Sequence, residues 1–443
     1  MLNNIKKSVE LNRDKIIEIG EWIYKNPETG FKEFKTSAYV IERFKELELS
    51  FIEFGNIPGA KATIDTGREG PSVAVLGELD SIVCPEHPDS SKESGAAHAC
   101  GHNVQVAAML GAAIGILSSG IVDKLSGKLH FIAVPAEESI EIEFRKKLRQ
   151  EGKIRYLGGK AELLSRGIFD DVDMAMLVHA KESGKKFIIG STTNGCLIKS
   201  ARFIGRAAHA GGAPHEGINA LYAANLGLMA INAIRETFTE MECIRVHPII
   251  TKGGDTVNVI PDDVRIETFV RGKRIEDIAN ANKKVNRALA GGAMALGAKV
   301  VIEDIPGYFP MKADENFNKT ARKVMEWLVG EDNIEFSEHS TVSTDLGDIS
   351  TVMPVIHPYI GGVKGGLHSK DFRIVDPYDS YVLGAEFLAC TAAELLSNDA
   401  AVARDIIKNY KPVFPSKDSY IEYADKLFAC KTYPEDEFYK QFE

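Results

Sequence analysis

Two stretches of this chain limit what it can fold into. Leu129–Val134, apolar apart from His130, and Met174–Val178, apolar throughout, are runs of strand length, and each stops at residues able to do chemistry. Pro135-Ala136-Glu137-Glu138 follows the first and His179 the second. A strand that is apolar on both faces, not alternately, is covered on both sides, as in α/β proteins with a largely parallel sheet. Ligand sites of such sheets collect at the carboxyl ends of the strands. The predicted class is therefore α/β, with polar clusters expected where apolar strands end.

The surrounding pattern agrees. Residues 5–24 and 37–48 carry helical periodicity, Ala60–Thr66 and Ser72–Leu76 read as strands, and Val104–Ser118 as a buried helix. Near residue 195 the texture changes to strand, helix, strand, strand, helix, strand over about 110 residues, the split β-α-β-β-α-β order. Helices at 317–329 and 381–396 and a strand near 353–357 then resume the first texture. The expected organisation is a catalytic α/β domain over 1–194 and 307–443, the latter ending in a surface-wrapping tail, interrupted by a ferredoxin-like α+β domain over 195–306. At 443 residues, two or three domains are expected from about 150 residues each.

Composition narrows the partners. Lys and Arg total 53 against 63 Asp and Glu, a net charge of −10. That balance argues against nucleic acid, which wants a basic surface. No apolar run reaches the roughly 18 residues of a membrane span, and the charged N-terminus shows no secretory signal. Six scattered cysteines without a Cys-x-x-Cys pair read as reduced thiols, and a cytoplasmic location is expected. Residues 141–153 are densely charged, the usual pattern of a solvated helix face.

Four segments could carry chemistry. His98-Ala99-Cys100-Gly101-His102-Asn103 offers a thiolate and an imidazole two residues apart, donors suited to zinc and related metals, although Cys-x-His alone also fits a structural pair. Glu137 and Glu138 are adjacent carboxylates at a strand end, where one can bind metal while the other serves as a base. His179 ends the next apolar run. Gly361–Ser369 is a glycine-rich loop containing Lys364 and His368. Cys100, His102, Glu138, His179 and His368 exceed what one open tetrahedral site needs, and suit two metals sharing a ligand, with Glu137 as proton carrier. In the interrupting domain, His209 lies in the small-residue turn Gly205–Pro214 and could donate to a developing oxyanion. Asn258 could contact substrate; Arg271 and Lys364 could pair with a substrate carboxylate. Gly158-Gly159-Lys160 lacks the spacing of a phosphate-binding loop, which sets a nucleotide enzyme aside.

Taken in order, NPETGFKEFKTS at 26–37, HACGH at 98–102, PAEE at 135–138, the run ending in His179, GRAAHAGGAP at 205–214, NVIP at 258–261 and GLHSKDF at 366–372 resemble the aminoacylase/carboxypeptidase group of dinuclear metallohydrolases, metallopeptidase family 20. Within it the chain is similar to the amidohydrolase branch, near aminobenzoyl-glutamate hydrolase and β-alanyl-lysine dipeptidase-like members. The resemblance implies a phosphorylase/hydrolase-like catalytic domain with an inserted lid and dimerisation domain, hence a homodimer. It implies two divalent ions per chain, zinc or manganese with nickel or cobalt possible, held by bridging Cys100 with His102, Glu138, His179 and His368. It implies Glu137 as general base, His209 as transition-state helper, and a small-molecule amide or dipeptide as substrate. Three departures stand out: Asn103 where the branch commonly has Asp, Asp80-Ser81-Ile82-Val83-Cys84-Pro85 where it commonly has Asp-Ala-Leu-Pro, and a longer charged segment at 140–157. A non-catalytic metal-containing binding or scaffold protein is the alternative class, and such descendants usually lose a ligand or the base.

Overall fold

The computed structural model describes residues 1–434. They form two compact units. One comprises Met1–Thr192, Lys312–Ser340 and Asp348–Lys417; the other comprises Thr193–Met311, Thr341–Gly347 and the chain from Asp418.

The first unit is built on a six-stranded sheet in the order 50–53, 60–65, 128–134, 72–78, 174–176, 355–356. The last four strands run parallel to their neighbours, while the 60–65 strand runs antiparallel to Lys128–Val134 and pairs Ser50–Glu53 at the edge. Every residue of Ser72–Glu78 is buried, as an apolar strand covered on both faces must be. The helix His102–Ser118 packs on that strand and is buried continuously from His102 to Ile116, which explains its lack of a polar face. A Cβ on Gly77 would lie 3.0 Å from the Val106 Cα, so glycine sets the closeness of strand and helix.

Three details differ from the sequence expectations. The N-terminal helix is two helices, Leu2–Leu11 and Arg13–Tyr24, because Asn12 leaves the helical conformation while its side chain donates to the Ser8 carbonyl at 2.8 Å. The Met174 strand ends at Met176; the chain then changes sheet, and His179–Ala180 pairs in parallel with Tyr359–Ile360. The charged segment does form a helix, Ile142–Gln150, yet Arg145 within it is completely buried.

In the second unit the strands follow the order 245–246, 263–272, 195–204, 299–308, 429–433, all antiparallel. Ile249–Lys252 also pairs Asp263–Gly272. Asp263–Gly272 buries every second residue, the period of a sheet with one covered face. The helices Ala220–Ala233 and Ile275–Ala295 cover it, joining Phe203, Val264, Ile266, Val285 and Leu289 in one apolar core. Residues 307–443 were expected with the catalytic part. The chain from Asp418 instead groups with this unit, because Ala429–Tyr433 pairs along Lys299–Tyr308. The end of the expected tail, 435–443, lies outside the described residues.

Candidate metal centre

Cys100, Gly101 and His102 turn the chain into the buried helix His102–Ser118. Gly101 has φ of 87°, and a Cβ there would lie 2.7 Å from the Ala180 Cβ. Glycine satisfies both demands and lets two donors two residues apart converge. Cys100 Sγ lies 3.5 Å from His179 Nε2. The ring of His102 is fixed from behind: its Nδ1 lies 2.8 Å from the Asp80 carbonyl and 3.1 Å from Asp80 Oδ1. That leaves the buried Nε2 without a hydrogen bond among the described residues, 3.2 Å from Glu78 Oε2. His179 Nδ1 is likewise engaged, with the Ala180 carbonyl at 2.9 Å. In both rings the backbone-facing nitrogen donates, so the neutral ring offers Nε2 as an electron-pair donor, the orientation seen in metal-ligating histidines.

Glu138 arrives from the end of Lys128–Val134. Its backbone N–H donates to Asp80 Oδ2 at 2.8 Å, and its Oε1 lies 2.8 Å from His368 Nε2. His368 adopts a left-handed φ of 61°, held by its N–H on the Ala99 carbonyl at 2.8 Å. Cys100 thus belongs to two donor triplets, one with His102 and His179, the other with Glu138 and His368. Glu137 belongs to neither of these; its carboxylate lies 3.8 Å from His102 Nε2, within a third group that includes Glu78.

Before an ion binds, the electrostatics favour a thiolate and a carboxylate beside protonated histidines, whose Nε2 protons a bound ion would displace. Burial and Glu138 push the Cys100 thiol up, but His102 and His179 outweigh them and bring it down to about 6. Burial likewise raises Glu138, yet His368 carries it down to about 2. Glu138 in turn raises His368 to about 11. Thiolate, imidazole and carboxylate donors sharing one sulfur fit two borderline divalent ions.

Sequence reasoning missed the layer behind these residues. Glu78 is buried and accepts from Gln105 Nε2 at 2.6 Å and from the wholly buried Lys160 ammonium. Lys160 and His102 draw the Glu78 carboxyl well below its usual range against the opposing effect of burial. Asp80 braces both His102 and the Glu138 peptide. The available signal was the same one that exposed Glu137: acids immediately after a buried strand, here Ser72–Glu78.

Lys364 is exposed on the short strand Val363–Lys364, and no contact among the described residues joins its side chain to the cluster. His209, Asn258 and Arg271 belong to the second unit. There the exposed His209 ring accepts the Gly211 and Gly212 N–H groups at Nδ1, at 3.2 and 2.9 Å, which puts the proton of the neutral ring on Nε2. Asn258 is adjacent, its carbonyl accepting the Ala210 N–H at 2.9 Å. Arg271 donates to Ser343 Oγ at 3.2 Å and lies over Phe269.

A thiol shared by two donor triplets, at the strand ends of an α/β unit and with a further carboxylate alongside, is a donor set able to hold two metal ions, as in dinuclear metallohydrolases. The chain belongs to peptidase family M20/M25/M40, whose model matches residues 74–394. It is 28% identical over 299 residues to a p-aminobenzoyl-glutamate hydrolase of Escherichia coli, covering 66% of this chain and 57% of that relative, which is thus spanned over little more than half its length. It is 28% identical over 342 residues to the Xaa-Arg dipeptidase of Mus musculus, covering 75% of this chain and 70% of that one. Its fold is shared with a dinuclear metal binding peptidase of the M20 family from Bacillus subtilis, with a TM-score of 0.65 and 20% identity over 87% of this chain and 99% of the other.

Proposed function

We propose that this enzyme hydrolyses the amide bond of N-acyl amino acids or dipeptides, and that two divalent ions would be held there by Cys100, His102, His179, Glu138 and His368. The placement of Cys100 in both donor triplets carries this reading. The ions are zinc or manganese, with nickel or cobalt able to substitute. Bound there, they supply Lewis acidity and a water acidic enough to ionise near pH 7. Glu137 takes the proton of the attacking water and delivers it to the leaving nitrogen. His209, whose Nε2 carries the ring proton, donates to the developing oxyanion. Asn258, Arg271 and Lys364 hold the substrate, the two cations facing its carboxylate.

The segment 195–306 serves as lid and dimerisation domain, with 1–192 and the returning stretches 312–340 and 348–417 as the catalytic frame. A homodimer is supported by the open edge of Ile249–Lys252, where Ile249 and Ile250 are exposed near a helix that exposes Tyr222 and Met229. No described helix is long and apolar enough to cross a membrane. A cytoplasmic location is supported by free thiols at all six cysteines.

A panel of N-acyl amino acids and dipeptides, each tried with zinc, manganese, nickel and cobalt, tests the reading. Metal-dependent turnover of free acids, with esterified or amidated counterparts much slower, is the expected result. Protein that holds divalent ions yet turns over none of the panel would reject the substrate class. Esters cleaved as fast as acids would reject the carboxylate contacts.

A further inference from the structure

The most buried member of the charged helix Ile142–Gln150 does not behave as a surface residue. Arg145 is completely buried. Its Nη1 donates to the Leu157 carbonyl at 2.7 Å and reaches the Ala136 carbonyl at 3.4 Å. The same Ala136 carbonyl accepts the Gly159 N–H at 3.0 Å, while the Ala136 N–H donates to Glu33 Oε1 at 2.7 Å. Glu33 is itself fully buried.

Ala136 needs holding. It is a non-glycine residue with a left-handed φ of 54°, a conformation that costs free energy unless its surroundings enforce it. It immediately precedes Glu137 and Glu138, so its backbone angles aim both carboxylates. The two sides of the grip come from distant segments that close on each other. Lys32 pairs with Glu141 at 2.5 Å and lies over Phe144, and the Arg145 guanidinium lies 5.4 Å from the Phe31 ring centre. Gly30 completes the arrangement: a Cβ there would fall 2.1 Å from Arg145 Nη2 and 2.9 Å from the Ala136 Cα. The GFKE stretch at 30–33 and the charged helix therefore form one clamp around a single peptide unit.

We propose that Arg145 is a positioning residue which, with Glu33, locks the left-handed Ala136 and so aims Glu137 and Glu138. The proposal rests on the roles assigned to those two glutamates, and its test has one arm that does not. Arg145→Gln, Arg145→Lys and Gly30→Ala are compared with the parent. The last leaves the guanidinium in place chemically but crowds it out of position.

In the metal-free proteins, backbone hydrogen exchange is followed over residues 131–141, with 102–118 as the internal reference. R145Q and G30A are expected to speed exchange in 131–141 about tenfold or more while 102–118 is unchanged. R145K, which keeps the buried charge and a donor, is expected to stay near the parent. In the metal-loaded enzymes, R145Q is expected to lower kcat about tenfold or more with KM within about twofold, and R145K to recover most of the loss. Unchanged exchange in 131–141, or acceleration shared equally by 102–118, would overturn the clamp. An effect on KM with kcat intact would overturn its action on the base. Were the parent inactive on every substrate, the exchange arm would decide the clamp by itself.

Discussion

At the scale of single residues, the proposed roles separate groups that hold charge from one that moves a proton. Cys100, His102, Glu138, His179 and His368 converge on shared positions, whereas Glu137 stands beside them with its carboxylate 3.8 Å from His102 Nε2. Glu137→Gln preserves shape and removes only the base. Two divalent ions per chain are therefore expected to remain by elemental analysis, while kcat falls on the order of 10²–10⁴-fold, the usual worth of a positioned general base. Loss of metal in that variant would make Glu137 a ligand instead. Glu137, Glu138 and Cys100-x-His102 were legible because residue type and a strand end suffice to mark them. Lys160 was not. Read along the chain it belongs to a glycine-flanked lookalike of a nucleotide loop, and only folding brings it to Glu78, 82 residues away. Buried ion pairs between distant segments leave no periodic trace. Arg145 was hidden for the opposite reason, since seven charged neighbours between Glu141 and Lys153 disguise one buried cation as part of a solvated face.

At the scale of elements, the sequence was most informative where burial is uniform. His102–Ser118, Lys128–Val134 and Leu383–Leu396 announce themselves as predominantly apolar stretches. Phe187–Thr193 and Ile334–Ser340 did not, because their mixed polar composition fits either a strand or a loop. Of the two glutamates in Leu383–Leu396, Glu394 is half-buried and Glu386 runs fully against the pattern. Glu386 is buried, with Tyr378 OH donating to Oε1 at 3.4 Å and Oε2 without a hydrogen bond among the described residues. Burial, aided by Glu10 and opposed by Lys6, raises its carboxyl from 4.5 to about 7. The native state then holds this proton over a pH range where the unfolded chain has lost it. Stability contributed by the protonated form is present below about pH 4.5 and is lost as pH rises through about 7, a change on the order of 3 kcal/mol for this group. Glu386→Gln mimics the protonated form, so its melting temperature is expected to exceed the parent's at pH 8 and to match it near pH 4.5. Thermal melts across that range read the difference; equal displacement at both ends would show that the shift plays no part.

At the scale of the whole molecule, the proposed assembly turns on an unprotected sheet edge. Natural proteins usually guard such edges with charge, twist or cover, because unpaired backbone groups invite another strand. Here Ile249 is 60% and Ile250 42% exposed on Ile249–Lys252, and Tyr222 and Met229 are 62% and 59% exposed on Ala220–Ala233. Apolar side chains on an open edge are what a two-fold partner with the same surface would cover. Ile250→Lys places a charge on that edge without touching the core of the second unit. Sedimentation velocity is expected to give twice the chain mass for the parent and the single-chain mass for the variant, with little change in melting temperature. The activity of this monomer then assigns His209. If the ring serves the centre of the partner chain, the Ile250→Lys enzyme retains both ions but loses turnover as severely as His209→Ala. If it serves its own chain, the monomer keeps its kcat. A parent that sediments as a single chain would remove the dimer from the mechanism and leave only the second alternative.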